Sequence, residues 1–97
     1  MNIMEIKRKD DGKKGSFALM DNEKQVGKLE YVWAGEEKFI IEHTEVDSEY
    51  GGQGLGRKLV MAAVDFARQE NVKIIPLCPY AKRVFEKSSE ISDVLSS

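Results

Sequence analysis

Residues 49–60 read EYGGQGLGRKLV, with glycine at 51, 52, 54 and 56 directly ahead of a helical pattern. A helix N-terminus carries unpaired N–H groups and the positive end of the helix dipole. Glycines let the preceding backbone fold into a concave nest, and let a phosphate approach without striking a side chain. Each dipole contribution is about 0.3–1 kcal/mol, and several convergent N–H bonds to one pyrophosphate add to it. Arg57 and Lys58 oppose the dipole of an isolated helix, but make sense if an anion sits between them and the backbone. The spacing Gly52-x-Gly54-x-Gly56 is not the G-x-G-x-x-G of dinucleotide binding, since position 57 is Arg. Nor does Gly56-Arg57-Lys58 supply the Gly-Lys-Ser/Thr that closes a P-loop. Taken alone, the glycines fit equally well a turn that merely starts a helix.

Two further residues carry reactive side chains. Cys78, the one cysteine, directly precedes Pro79 at the start of a second helical pattern, where the dipole lowers a thiol pKa. His43, the one histidine, lies in the strand-like run EEKFIIEHTEV. Imidazole beside such a thiol can yield a thiolate nucleophile; alternatively the imidazole is a general base and the thiol a proton donor. The ordinary readings are a small buried cysteine and a histidine at a strand edge. One His and one Cys cannot build a thiolate–imidazole zinc site, which takes about four ligands.

The whole chain limits what these groups can serve. Its 97 residues make one domain, 1–97, able to bury roughly two-thirds of its unfolded surface. A net charge of -2 and a pI near 5.4 give no global attraction to nucleic acid or anionic membranes. A lone cysteine excludes an internal disulfide, and MNIMEIKRKDDG lacks the apolar core of a secretory signal, so a cytoplasmic setting is expected.

The elements that must position the reactive groups follow from periodicity. MNIMEIKRK, GSFALMD, QVGKLEYVWA and EEKFIIEHTEV read as four strands of an antiparallel meander, with Asp21-Asn22-Glu23 as a tight hairpin. The unbroken Phe39-Ile40-Ile41 suggests burial on both faces. Leu55, Leu59, Ala62, Ala63, Phe66 and Ala67 then recur at helical spacing over residues 53–69, and Asn71 closes the helix. VKIIPL is a short buried strand, and Pro79 opens a second helix, YAKRVFEKSS. The tail EISDVLSS has no clear pattern.

At this point the chain resembles the GNAT superfamily of acetyl-CoA-dependent N-acetyltransferases. The family signature Q/R-x-x-G-x-G/A falls on Gly51, Gly52, Gln53, Gly54, Leu55 and Gly56, with Gly51 departing from the usual Gln or Arg. CPYAKRVFEK is similar to a second family region, where Ala81, Phe85, Glu86 and Lys87 fit A-x-x-x-Y/F-E-K. HTEV and LCPYAKRVFEK together resemble the short single-domain members of the YjdJ type, which lack the usual N-terminal helices.

The resemblance implies an α/β fold: a minimal GNAT fold, its mixed central sheet an antiparallel meander followed by a splayed parallel strand, with two helices. It implies that acetyl-CoA lays its pantetheine arm along Glu45 and Val46. The pyrophosphate would rest on residues 52–57, ending at Arg57, with Tyr80 and Arg83 flanking the cofactor. A tyrosine that protonates the CoA thiolate in many members is here Phe85, which has no proton to give. His43 and Cys78 would then stand on opposite sides of the acetyl thioester and take up the chemistry. The implied acceptor is a small amine or a protein lysine; the alternative is an acetyl-CoA-binding module with little or no transfer. Neither the acceptor nor the oligomeric state follows from these residues.

Overall fold

In the computed structural model, which describes residues 4–96, five strands form one mixed sheet in the order β1-β2-β3-β4-β5. They are β1 (Met4–Asp10), β2 (Lys14–Asp21), β3 (Lys24–Trp33), β4 (Lys38–Val46) and β5 (Lys73–Pro76). The first four pair antiparallel, and β5 joins β4 in parallel. Helix α1 (Leu55–Glu70) makes the crossover from β4 to β5, as a parallel pair demands, and α2 (Pro79–Lys87) follows. The expected α/β architecture is thus the observed one; residues 1–3 of the expected first strand lie outside the described residues.

Local chemistry explains the boundaries. Asn22 turns the β2–β3 hairpin at φ 59°, and Asn71 ends α1 at φ 57°; asparagine tolerates this left-handed region better than most residues. Pro79 takes the first position of α2, where a missing N–H leaves no bond broken. The tail, unassigned from its pattern, forms a 3₁₀ turn over Ser89–Val94 that buries Ile91 and Val94. Leu95 then bridges in parallel to Ile74, and the Ser96 amide donates to the Ile74 carbonyl at 2.8 Å.

The core lies between one face of the sheet and α1. Phe17, Leu19, Leu29, Tyr31, Phe39, Ile41 and Ile74 meet Leu59, Val60, Ala63, Val64 and Ala67. The half-buried Phe66 ring packs 5.9–6.3 Å from the rings of Phe17, Tyr31, Trp33 and Phe39. The expectation of two-sided burial for residues 39–41 is corrected here: Phe39 and Ile41 are buried, but Ile40 is only half-buried. The reason is that α1 covers the face carrying Phe39 and Ile41.

Two irregularities in β4 shape the site. Tyr31 pairs with Ile41 but Glu30 pairs with His43, which makes Glu42 an extra residue in the ladder. Such a bulge shifts the side-chain phase by one position. Phe39 and Ile41 face α1 before it; Thr44 and Val46 do so after it, and His43 and Glu45 turn to the opposite face. Secondly, β4–β5 pairing stops at Ile41–Pro76. The Ile41 carbonyl accepts the amides of both Leu77 (3.1 Å) and Cys78 (3.0 Å), and β4 runs on alone along that edge.

Asp10 ties β1 to β3. Its Oδ2 accepts from Tyr31 Oη (2.6 Å), Trp33 Nε1 (2.8 Å) and Arg8 (3.2 Å). Burial pushes the Asp10 carboxyl up, but bonds from Tyr31, Gly12 and Trp33 outweigh this and hold it below the usual range. Tyr31 is pushed up to about 12, first by burial and then by Asp10. Tyr31→Phe should lower the unfolding free energy by about 1–2 kcal/mol at neutral pH in urea titrations. A depressed carboxyl stabilises the fold above its unfolded pKa and loses that effect as pH falls through its folded value. The deficit of Tyr31→Phe should therefore shrink in acid.

Candidate functional site

No side chain caps the start of α1. Gly54 holds the cap position in the left-handed region (φ 71°, ψ 19°), and the first helical bond runs from the Lys58 amide to the Gly54 carbonyl at 3.1 Å. Among the described residues, the amides of residues 52–57 have no hydrogen-bond partner. A Cβ at Gly52 or Gly54 would meet nothing within 4 Å, so packing does not select glycine there. The positive φ at both does.

A cleft of about 340 Å³ opens against this loop. Its walls are residues 44–46 of β4, Tyr50, the glycine loop and Tyr80 of α2. Of the residues singled out from sequence, Glu45, Val46, Gly51, Gly52, Gly54, Leu55, Gly56 and Tyr80 line it. Gln53 is exposed on the loop, and Arg83 is exposed on α2 with no ion pair among the described residues. The Arg57 guanidinium points elsewhere: it donates to Ser88 Oγ at 2.6 Å and reaches Glu90 at 3.4 Å. That corrects the expectation of an anion held against the Arg57 side chain. A carboxylate and a buried hydroxyl already occupy it, and only its amide faces the same task as the glycines.

Tyr80 crosses the first turn of α1 so closely that a Cβ on Gly56 would stand 2.9 Å from its Cζ and Oη. Tyr50 donates to Asp21 Oδ2 at 2.7 Å, tethering the start of the loop to the β2–β3 hairpin. Tyr50 and Thr44 are cleft residues that sequence reasoning missed. Strand alternation counted from Ile41 puts Thr44 on the wrong face, and only the Glu42 bulge corrects it. No local signal links Tyr50 to an aspartate so far away in sequence.

Cys78 is the N-cap residue of α2 and is buried. Burial pushes its thiol up, yet the Ala81 amide, the Thr44 hydroxyl and the amides of Tyr80 and Thr44 together bring it below the ordinary thiol value. The thiol makes no formal cap bond, and Thr44 Oγ1 is buried without a well-formed partner. His43 does not join Cys78. It is exposed on the other face of β4, with Nε2 3.1 Å from Glu45 Oε2. Glu45 also meets Lys28 at 3.6 Å, and its carboxyl is held below the usual range, chiefly by the His43 hydrogen bond.

The donor set fits a diphosphate: unpartnered amides at a helix N-terminus, with no side chains on the glycines to block approach. The unpaired edge of β4 fits a chain bearing amides, which could add to it as a strand would. A profile of the GCN5-related N-acetyl-transferase family matches residues 16–94. The solution structure of a GCN5-like protein from Staphylococcus aureus is 36% identical, with a TM-score of 0.71 over 94% of this chain and 88% of that one. The chain belongs to the GCN5-related N-acetyltransferase family.

Protein NATD1 of Gallus gallus is 32% identical over 60 residues, 62% of this chain and 54% of its own. The chain thus spans about half the length of the first of its curated relatives. The ribosomal-protein-S18-alanine N-acetyltransferase of Escherichia coli, 20% identical with a TM-score of 0.67 over 80% of this chain and 53% of that one, shares the fold.

Gly56→Ala tests the contact at the cleft rim. Alanine favours the helix by about 0.5–1 kcal/mol over glycine, while the clash falls on the free end of a side chain that is 40% exposed. Stability should hold or rise, and the Tyr80 ring should swing off α1. The check is loss of the NMR contact between that ring and the α-proton of residue 56.

Proposed function

We propose that this chain is an acetyl-CoA-dependent N-acetyltransferase whose pyrophosphate site is the amides of residues 52–57. The single observation carrying this reading is that run of unpartnered N–H groups, set against a cleft that continues along the open edge of β4. In this reading Glu45 and Val46 offer main-chain groups to pantetheine, and Tyr80 and Arg83 flank it. The thioester then lies in the wedge beyond Ile41, between Cys78 on the α1 side and His43 on the other.

Cys78 acts as the nucleophile. Its thiolate attacks the acetyl carbonyl carbon, the bond from that carbon to the CoA sulfur breaks, and CoA leaves with the electron pair. An amine then attacks the carbonyl carbon of acetyl-Cys78, the Cys78 sulfur departs as thiolate, and His43, oriented by Glu45, accepts the amine proton. The acceptor is a small amine or a protein lysine. A second reading, a binding module without turnover, is favoured by Phe85, a buried side chain that cannot protonate a departing thiolate.

Intact-mass measurement after incubation with acetyl-CoA separates these readings. Under the transferase reading the protein gains the mass of one acetyl group, Cys78→Ala does not, and an added amine discharges it. Binding by calorimetry with no mass gain and no CoA release supports the module instead. Gly54→Asp should weaken acetyl-CoA binding at least about 100-fold, equivalent to ~3 kcal/mol, because a carboxylate would then face the diphosphate. Unchanged affinity in that variant would remove the loop assignment.

A further inference from the structure

Thr44 lines the cleft, its Oγ1 is a buried hydroxyl with no well-formed partner, and its hydroxyl and amide both bear on the buried Cys78 thiol behind it. A buried donor left unsatisfied is costly, and such atoms call for a partner present in another state of the molecule. A neutral thiol is a poor acceptor; a thiolate is a strong one. Cys78 also holds the N-cap position of α2, where side-chain acceptors ordinarily take the N2 and N3 amides, here those of Tyr80 and Ala81.

We propose that Thr44 is a positioning residue for Cys78: its hydroxyl donates to the sulfur once the thiol ionises, and with its own amide and those of Tyr80 and Ala81 it encloses a thiolate in neutral donors. This rests on the reading of Cys78 as the group that takes the acetyl. Charged groups on the surrounding elements are committed elsewhere or turned away. His43 and Glu45 of β4 pair on the opposite face, Arg57 of α1 is held by Ser88 and Glu90, and Lys82 and Arg83 of α2 are exposed. Besides Glu45, the titratable groups on the cleft wall among the described residues are Tyr50, whose hydroxyl is committed to Asp21, and Tyr80. The bulge at Glu42 is what delivers Thr44, rather than His43, to this side.

Because Cys78 is the one cysteine in the chain, its thiolate can be titrated by ultraviolet absorbance between mildly acidic and mildly alkaline pH, with no ligand present. Thr44→Val keeps the shape and removes the donor. It should raise the titration midpoint by about one unit, leaving about a tenth of the thiolate at a pH below both midpoints. Thr44→Ser, which restores the hydroxyl, should return the midpoint to that of the parent protein. A midpoint unmoved in Thr44→Val overturns the proposal, and so does a Thr44→Ser midpoint displaced as far as that of Thr44→Val. Acetyl uptake by Cys78 from acetyl-CoA, followed by mass, is read in parallel. It should slow about tenfold in Thr44→Val at a pH below both midpoints and rejoin the parent rate above the raised midpoint. A midpoint that moves as stated supports the role of Thr44 even if no form takes up acetyl, an outcome that would instead defeat the reading of Cys78.

Discussion

The geometry of the site depends on the Ile41 carbonyl. By accepting two successive amides from the chain leaving β5, it ends the parallel ladder while β4 is still extended. Everything beyond that point on β4 keeps hydrogen-bonding groups with no strand beside them on that edge. The Glu42 bulge adds a second effect, rotating the remaining residues so that Thr44 and Val46 line the opening. A wedge with polar backbone on one side and a helix N-terminus at its mouth is the result.

The anion site proposed for this slightly acidic chain would use dipoles more than charges. Arg57, the nearest cation in sequence, is spent on joining α1 to the segment after α2 through Ser88 and Glu90. What faces the cleft is uncharged peptide N–H, preoriented by left-handed glycines. The sulfur of Cys78 follows the same pattern, since every group that favours its ionised form is neutral. Fixed dipoles require no reorganisation when charge arrives, which is the reason helix N-termini recur at phosphates and thiolates.

Much of this was legible in the sequence, for identifiable reasons. The period of 3.6 in residues 55–67 and the alternation in the first four segments reflect one-sided burial, a strong local signal. The glycine spacing and the proline after Cys78 are equally local. What stayed hidden depends on contacts between distant residues. The bulge is a matter of register between β3 and β4, so the exchange of His43 for Thr44 beside Cys78 could not be read from EHTEV. The tie from Tyr50 to Asp21 and the capture of Arg57 by Ser88 and Glu90 are likewise tertiary. The tail carried too few apolar residues to betray that Ile91 and Val94 complete the core.

The Leu95–Ile74 bridge has a consequence for how copies of this molecule meet. A sheet normally ends in two unfinished rows of hydrogen-bonding groups, each an invitation to aggregation. Here Leu95 and Ser96 occupy the rim beyond Ile74, and the far rim, β1, carries Glu5, Lys7 and Lys9. Zipping of one sheet onto another is thereby discouraged on both flanks. The remaining gap in the ladder is internal, between β4 and the chain leaving β5, with the first turns of α1 and α2 on the wall of the cleft there.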